Sequence, residues 1–277
     1  MAPILKHGPE WRQGPCLWIL AGTGEGPALA GGLLQQGWRL RVSVVSEAAA
    51  LPYRPLAQAW PAGALQLLVG ALAGQVGIRA QLQQWAQAGD RLAAVVDATH
   101  PFAIRISRDL VQVCCQQQLP LLRLGREALP QDGATVLADL AALTAVDLGG
   151  QRLLLALGSR QLARARAASP GAFHHARVLP NPAALQLALA AGLAPERLAC
   201  LRPSPSFAVE EALLRHWGIE VILCRQSGGV TEAGWRRLAI TRGCRLLLLA
   251  RPAEPGAGMV LSLPELLAKL ESLATAH

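Results

Sequence analysis

A chain of 277 residues is long enough for two domains, at roughly 100–200 residues each. Apolar residues make up 52% and charged residues 16%, a balance that excludes a disordered or coiled-coil protein and favours buried cores. The net charge of +8 is carried by arginine, with lysine only at Lys6 and Lys269, and these cations are scattered, without the aromatic interleaving of a nucleic-acid surface.

No apolar run approaches the roughly 20 residues of a membrane span. Lys6, Glu10 and Arg12 are not preceded by an apolar leader core, so a cytoplasmic protein is expected, with residues 1–15 as an N-terminal extension. The six cysteines show neither a CxxC pair nor a Cys/His ligand spacing, and no metal site or disulfide framework is expected.

Short strand-like runs then alternate with helical stretches, the pattern of parallel sheets joined by crossover helices. The first strand is Cys16–Ala21. It runs into Gly22-Thr23-Gly24-Glu25-Gly26 and a helix over Pro27–Gln36 that opens on proline and stops at Gly37. Glycines let the backbone approach a pyrophosphate, and a helix start favours negative charge. Gly22, Thr23, Gly24 and Glu25 are therefore candidate cofactor ligands. The spacing is one residue short of the GxGxxG fingerprint, so it also suits a ligand-free strand-to-helix turn.

The second strand, Arg39–Val45, ends at Ser46-Glu47. An acidic residue there suits the ribose hydroxyls of NAD, whereas an arginine suits the 2′-phosphate of NADP. Glu47 points to NADH, and Arg54 keeps NADPH open. A solvated glutamate at a strand end is the plainer alternative.

A third strand over Leu65–Val69 and a helix over Ile78–Ala88 lead to the strand Leu92–Asp97. It opens into Asp97-Ala98-Thr99-His100-Pro101-Phe102-Ala103 and a helix over Ala103–Gln117. Asp97, Thr99 and His100 at a strand's carboxyl end can hold a ligand, and histidine can also deliver a proton. Asp97 or Thr99 can equally serve as a helix cap. After the fifth strand, Pro120–Leu124, the polar stretch Gly125–Gly133 reads as a linker.

Beyond it, strands are expected near Arg152–Leu157, Phe173–Leu179, Ala199–Leu201, Val221–Cys224 and Arg245–Leu249, with helices over Phe207–Trp217 and Glu232–Arg242. Three turns in this half place Ser, Gly or Arg where an anion can dock. They are Gly158-Ser159-Arg160, Ser204-Pro205-Ser206-Phe207 and Arg225-Gln226-Ser227-Gly228-Gly229. Each alone is also an ordinary turn or N-cap. His174-His175 reads as a surface pair. The expected architecture is α/β, two Rossmann-like lobes over residues 16–126 and 134–277, each an open, mostly parallel sheet with helices on both faces, and a ligand cleft between them.

In order and spacing these segments resemble the precorrin-6A reductase family. The stretch Asp97 to Ala103, followed by Ile106-Ser107, matches that family's hallmark intact. Its opening Gly-Gly-Thr-x-Glu-Ala turn corresponds to Ala21–Gly26, its Pro-x-Leu-Arg-Leu strand to Pro120–Leu124, and its Ser-Gly-Gly turn and Arg-Pro pair to Ser227–Gly229 and Arg251-Pro252. The chain departs from the family where Ser46-Glu47 replaces a Gly-Arg pair, where a glycine-rich stretch shrinks to Val69–Gly74, and where Arg225-Gln226 replaces a lysine.

The resemblance implies hydride transfer from NADPH or NADH to precorrin-6A or its cobalt complex, in cobalamin biosynthesis. On the turns read above, cofactor contacts are expected from Gly22–Glu25, Ser46, Glu47 and Ser227–Gly229, reacting groups at Asp97, Thr99 and His100, and substrate contacts from Ser159, Arg160, Ser206 and Arg225. An anionic tetrapyrrole would use the positive surface. Two alternatives stay open, a two-lobed tetrapyrrole-binding protein without catalysis and a non-redox tetrapyrrole enzyme.

Overall fold

Runs such as Cys16–Ala21 and Leu92–Ala98 are apolar at nearly every position because both of their faces are covered, as parallel strands under helices require. The computed structural model describes residues 16–130, 133–204, 206–256 and 259–274. The expected extension over residues 1–15 lies outside them. The chain divides into two compact units, one reaching to Gly125 and resuming at Pro252, the other spanning Arg126–Arg251.

The first unit contains β1 (Cys16–Ala21), α1 (Gly26–Gln35), β2 (Arg39–Val44), α2 (Glu47–Ala50), α3 (Arg54–Ala59), β3 (Leu65–Val69), α4 (Gly74–Gln87), β4 (Leu92–Ala98), α5 (Ile104–Gln116) and β5 (Leu121–Leu124). Alternation along β1 splits its side chains between two layers. Leu17 and Ile19 pack with Leu33, Leu34 and Tyr53 on one face. Trp18 and Leu20 pack with Ile78, Trp85, Leu110 and Val113 of α4 and α5 on the other. The one polar atom of Trp18 is satisfied, since its Nε1–H donates to Ser43 Oγ at 2.8 Å.

The second unit contains β6 (Thr135–Leu137), β7 (Arg152–Ala156), α6 (Leu162–Ala167), β8 (Phe173–Val178), α7 (Pro182–Ala190), β9 (Leu198–Cys200), α8 (Ala208–Trp217), β10 (Val221–Arg225), α9 (Gly229–Arg242) and β11 (Arg245–Leu249). Its sheet runs β6-β11-β10-β7-β8-β9, and α8 and α9 cover one face with Phe207, Leu214, Trp235 and Leu238.

The expectation that the second lobe runs from 134 to 277 is corrected. After Arg251 the chain returns to the first unit, where β12 (Met259–Leu261) pairs in parallel with β5 and α10 (Leu263–Ala274) buries Leu266 and Leu270 in the first core. The first sheet is therefore β12-β5-β4-β1-β2-β3. An otherwise open edge on β5 is covered by chain from far along the sequence, which protects unpaired backbone groups from solvent and from other chains. Strand β6 takes the matching edge beside β11. All recorded strand pairs are parallel, and the order reverses between β1 and β4 and again between β7 and β10.

A second correction concerns His174 and His175. Both belong to β8, an inner strand between β7 and β9, and are only 7% and 6% exposed. His174 Nε2 lies 2.9 Å from Ser169 Oγ, and the His175 ring packs against Trp217. Among the described residues no helix is long and apolar enough to cross a membrane.

Candidate functional site

In open parallel sheets ligands sit outside the carboxyl ends of strands where the order reverses. In the first unit that point lies between β1 and β4, whose residues Leu20 and Asp97 are in register. The loops leaving the two strands touch. A Cβ on Gly22 would stand 3.3 Å from the His100 amide nitrogen and 3.4 Å from Thr99 Cα, a tight approach that a bare backbone at 22 makes easy. Among the described residues nothing crowds Gly24, and Gly22, Gly24 and Glu25 are exposed. Thr23 Oγ1 donates to Glu25 Oε2 at 2.9 Å, and among the described residues no side chain caps the start of α1. Gly26 is closed from below, because a Cβ there would run into the Tyr53 hydroxyl, which is buried without a hydrogen-bond partner among the described residues. Burial pushes the Tyr53 phenol pKa up.

An exposed backbone turn, an uncapped helix start and open space at Gly24 together fit the pyrophosphate of a dinucleotide. At the end of the neighbouring β2, Ser46 Oγ accepts the Ala49 amide and caps α2. Glu47 and Arg54, the two residues that argue for opposite nicotinamides, are ion-paired with each other at 2.6 Å, both largely exposed.

The hallmark stretch is organised from within. Asp97 is 1% exposed and both of its oxygens are engaged. Oδ1 accepts the Thr99 amide at 3.0 Å and the Thr99 hydroxyl at 2.7 Å. Oδ2 is ion-paired with Arg123 Nη1, from the residue in register on β5. That same Nη1 donates to Ser107 Oγ at 2.6 Å, and Arg123 Nε meets Glu254 Oε2 at 2.5 Å. The half-buried His100 accepts the Phe102 amide at Nδ1, 3.2 Å away, so the neutral ring carries its proton on Nε2.

In the second unit the reversal lies between β7 and β10. Gly158 leaves β7 at φ +85°, a conformation that favours glycine, and the Arg225 guanidinium at the end of β10 lies within 3.5 Å of where its Cβ would be. Arg160 is exposed on the same turn. Burial first, and then the nearby Arg160 cation, push Arg225 below its ordinary pKa. Two like charges held close at a sheet's carboxyl edge are an anion-attracting arrangement. Ser159 is half-buried beside them. Ser206 lies apart in sequence and sheet order, after the edge strand β9, where it accepts the Ala208 amide.

The Ser227-Gly228-Gly229 turn is more closed than its sequence implies. Ser227 is buried, and the Gly228 amide already donates to Glu232 Oε2 at 2.6 Å, inside its own helix start. A Cβ on Gly228 would collide with Glu127 O and Arg251 Nη2. Arg251 in turn donates from Nη1 to Arg126 O at 2.6 Å. The turn is gripped where the chain enters and leaves this unit. Arg123, Glu254 and Tyr53 escaped the sequence reading because each acts on residues distant in the chain, although the Pro-x-Leu-Arg-Leu match at Arg123 was a usable signal.

The family described as "Precorrin-6x reductase CbiJ/CobK" matches residues 16–271. The chain is 32% identical over 242 residues to the cobalt-precorrin-6A reductase of Synechocystis sp., covering 85% of this chain and 88% of the relative. It is likewise 32% identical over 243 residues to the precorrin-6A reductase of Mycobacterium tuberculosis, covering 86% and 89%. A solved structure of CobK precorrin-6A reductase superposes with a TM-score of 0.69 at 25% identity, covering 94% of this chain and 97% of the other. By the family match, the length of the similarity and the shared two-lobed Rossmann-like fold, the chain belongs to the precorrin-6A and cobalt-precorrin-6A reductase family.

Proposed function

We propose that this protein reduces a tetrapyrrole of the precorrin-6A type, with or without cobalt, at the expense of NADPH or NADH. The observation that carries this reading is the contact between the exposed turn at Gly22 and the Thr99–His100 loop at one switch point. It puts backbone suited to a pyrophosphate next to a histidine whose Nε2–H is a donor. When bound, the reduced nicotinamide supplies a hydride, and one proton completes the addition across a carbon–carbon double bond of the macrocycle.

The residues of the chain divide the remaining work. Gly22–Glu25 receive the pyrophosphate, while Ser46, Glu47 and Arg54 line the ribose end. His100 holds a proton at Nε2 for the reacting face. Arg160 and Arg225, with Ser159 beside them, offer cationic hydrogen bonds to substrate carboxylates. The Ser227–Gly229 turn supports the second unit's edge and offers a ligand only what Gly229 and the following amides present.

The test is an absorbance assay with precorrin-6A and its cobalt form, each offered NADH and NADPH, alongside a nucleotide titration followed by tryptophan fluorescence. Stoichiometric loss of reduced nicotinamide and macrocycle absorbance is expected with one of the four pairs. Failure of both nucleotides to bind would sink the reading and favour a tetrapyrrole-binding or non-redox role.

A further inference from the structure

We propose that Arg123 and Glu254 are positioning residues, which act through Asp97 and Thr99 to set the direction in which His100 presents its Nε2 proton. This rests on the reading of His100 given above, but the geometry stands without it. Asp97 and Arg123 face each other in register on adjacent inner strands, each almost wholly buried. A buried carboxylate keeps its charge only if it is paired and its lone pairs are used. Here one oxygen is matched to Arg123, and the other accepts two bonds from Thr99.

Those two bonds bend the chain. A side-chain oxygen that accepts the amide two residues on closes a local turn, and the added hydroxyl bond pins the Thr99 side chain as well. His100 is the next residue. Its ring is fixed in turn by the Phe102 amide at Nδ1, and the Ala103 amide donates to its carbonyl at 2.7 Å. The direction of the imidazole is therefore inherited from Asp97 through two rigid steps.

Arg123 cannot swing, because three groups hold its guanidinium: Asp97, Ser107 Oγ from the first turns of α5, and Glu254 at 2.5 Å. Glu254 is part of the return segment that brings β12 back beside β5, and its side chain is 36% exposed, at the rim of the network. The return segment is thereby tied to the loop that carries His100.

Glu254→Gln and Arg123→Lys in the full chain test the proposal, with Asp90→Asn as control. Asp90 forms an equally buried ion pair with Arg41, 2.6 Å long, but just before the amino end of β4, away from the loop. Two readouts are taken: the nitrogen and proton NMR signals of the His100 ring in ligand-free protein, and kcat and KM for reduction. Glu254→Gln is expected to shift or broaden the His100 signals and lower kcat about tenfold with KM for the nucleotide unchanged, and Arg123→Lys to do so more strongly. Asp90→Asn should lower stability and leave both readouts alone. Unchanged His100 signals in both network variants, or equal changes in the control, would overturn the proposal. Because the NMR arm needs no turnover, altered His100 signals in a protein that reduces nothing would uphold the positioning while refuting the proposed reaction.

Discussion

Gly22 and His100, far apart in sequence, meet at the head of the first sheet so closely that a Cβ on Gly22 would stand 3.3 Å from the His100 amide nitrogen. Since the nearest atoms are backbone, an added methyl fits only if the His100 loop gives by a few tenths of an ångström, and a branched side chain asks for more. Gly22→Ala should weaken nucleotide binding several-fold, and Gly22→Val by tenfold or more, with the far-ultraviolet circular dichroism unchanged. Tryptophan fluorescence titration with NADPH and NADH checks this. Equal affinities across the series would separate the turn from the nucleotide.

The neighbouring contact of Gly26 with Tyr53 makes a stability prediction of unusual sign. Gly26→Ala overpacks the hydroxyl, at a cost of about 1–3 kcal/mol. Tyr53→Phe removes a buried polar atom that has no partner among the described residues, so it should be neutral or stabilising rather than damaging. In the double variant the methyl faces the ring carbon at 3.3 Å instead of the oxygen, so most of the loss should return. Urea unfolding of the four proteins forms the cycle, and simple additivity would disprove the contact.

Much of this arrangement was legible in the sequence. Inner strands such as Leu92–Ala98 read as apolar runs broken only at Asp97, and the turns that follow them gathered Gly, Thr and His where a parallel sheet puts its ligands. What could not be read was pairing over long distances. Thr135–Leu137 and Met259–Leu261 are three-residue edge strands, too short to show a pattern, and nothing local says that the second closes the first sheet. The same blindness hid the Glu254 contact to Arg123. His174 and His175 misled for a different reason. Polarity suggested a surface, but flanking strands and Trp217 bury them.

The Glu47–Arg54 pair sets up a cofactor test. Both side chains are mostly solvent-exposed, so their attraction contributes about 0–1 kcal/mol and its loss should leave the melting temperature unchanged. Its effect lies in availability. While Glu47 holds Arg54, the guanidinium is engaged and a carboxylate guards the ribose end. Glu47→Gln should release Arg54 and raise the NADPH-to-NADH preference about tenfold, which is about 1.4 kcal/mol. Arg54→Ala should move it the other way. Ratios of kcat/KM for the two nucleotides decide the matter, and parallel changes with both would remove this pair from 2′-phosphate selection.

His174 gives the protein a built-in acid sensitivity. Burial, and then the nearby Arg166, lower its pKa from 6.5 to about 4, so the folded state keeps the ring neutral against Ser169. The unfolded chain takes up its proton around 6.5 and the folded chain only around 4, so stability is whole above that upper value and drains away as pH falls towards the lower one. Each pH unit crossed in that window costs about 1.4 kcal/mol at most. His175, lowered by burial as well, adds loss of the same sign. His174→Gln, which cannot titrate, should be less stable than the parent at neutral pH yet lose less between neutral and mildly acidic conditions. Denaturant midpoints at several pH values for both proteins measure the slope directly, and identical slopes would mean that the acid response arises elsewhere in the fold.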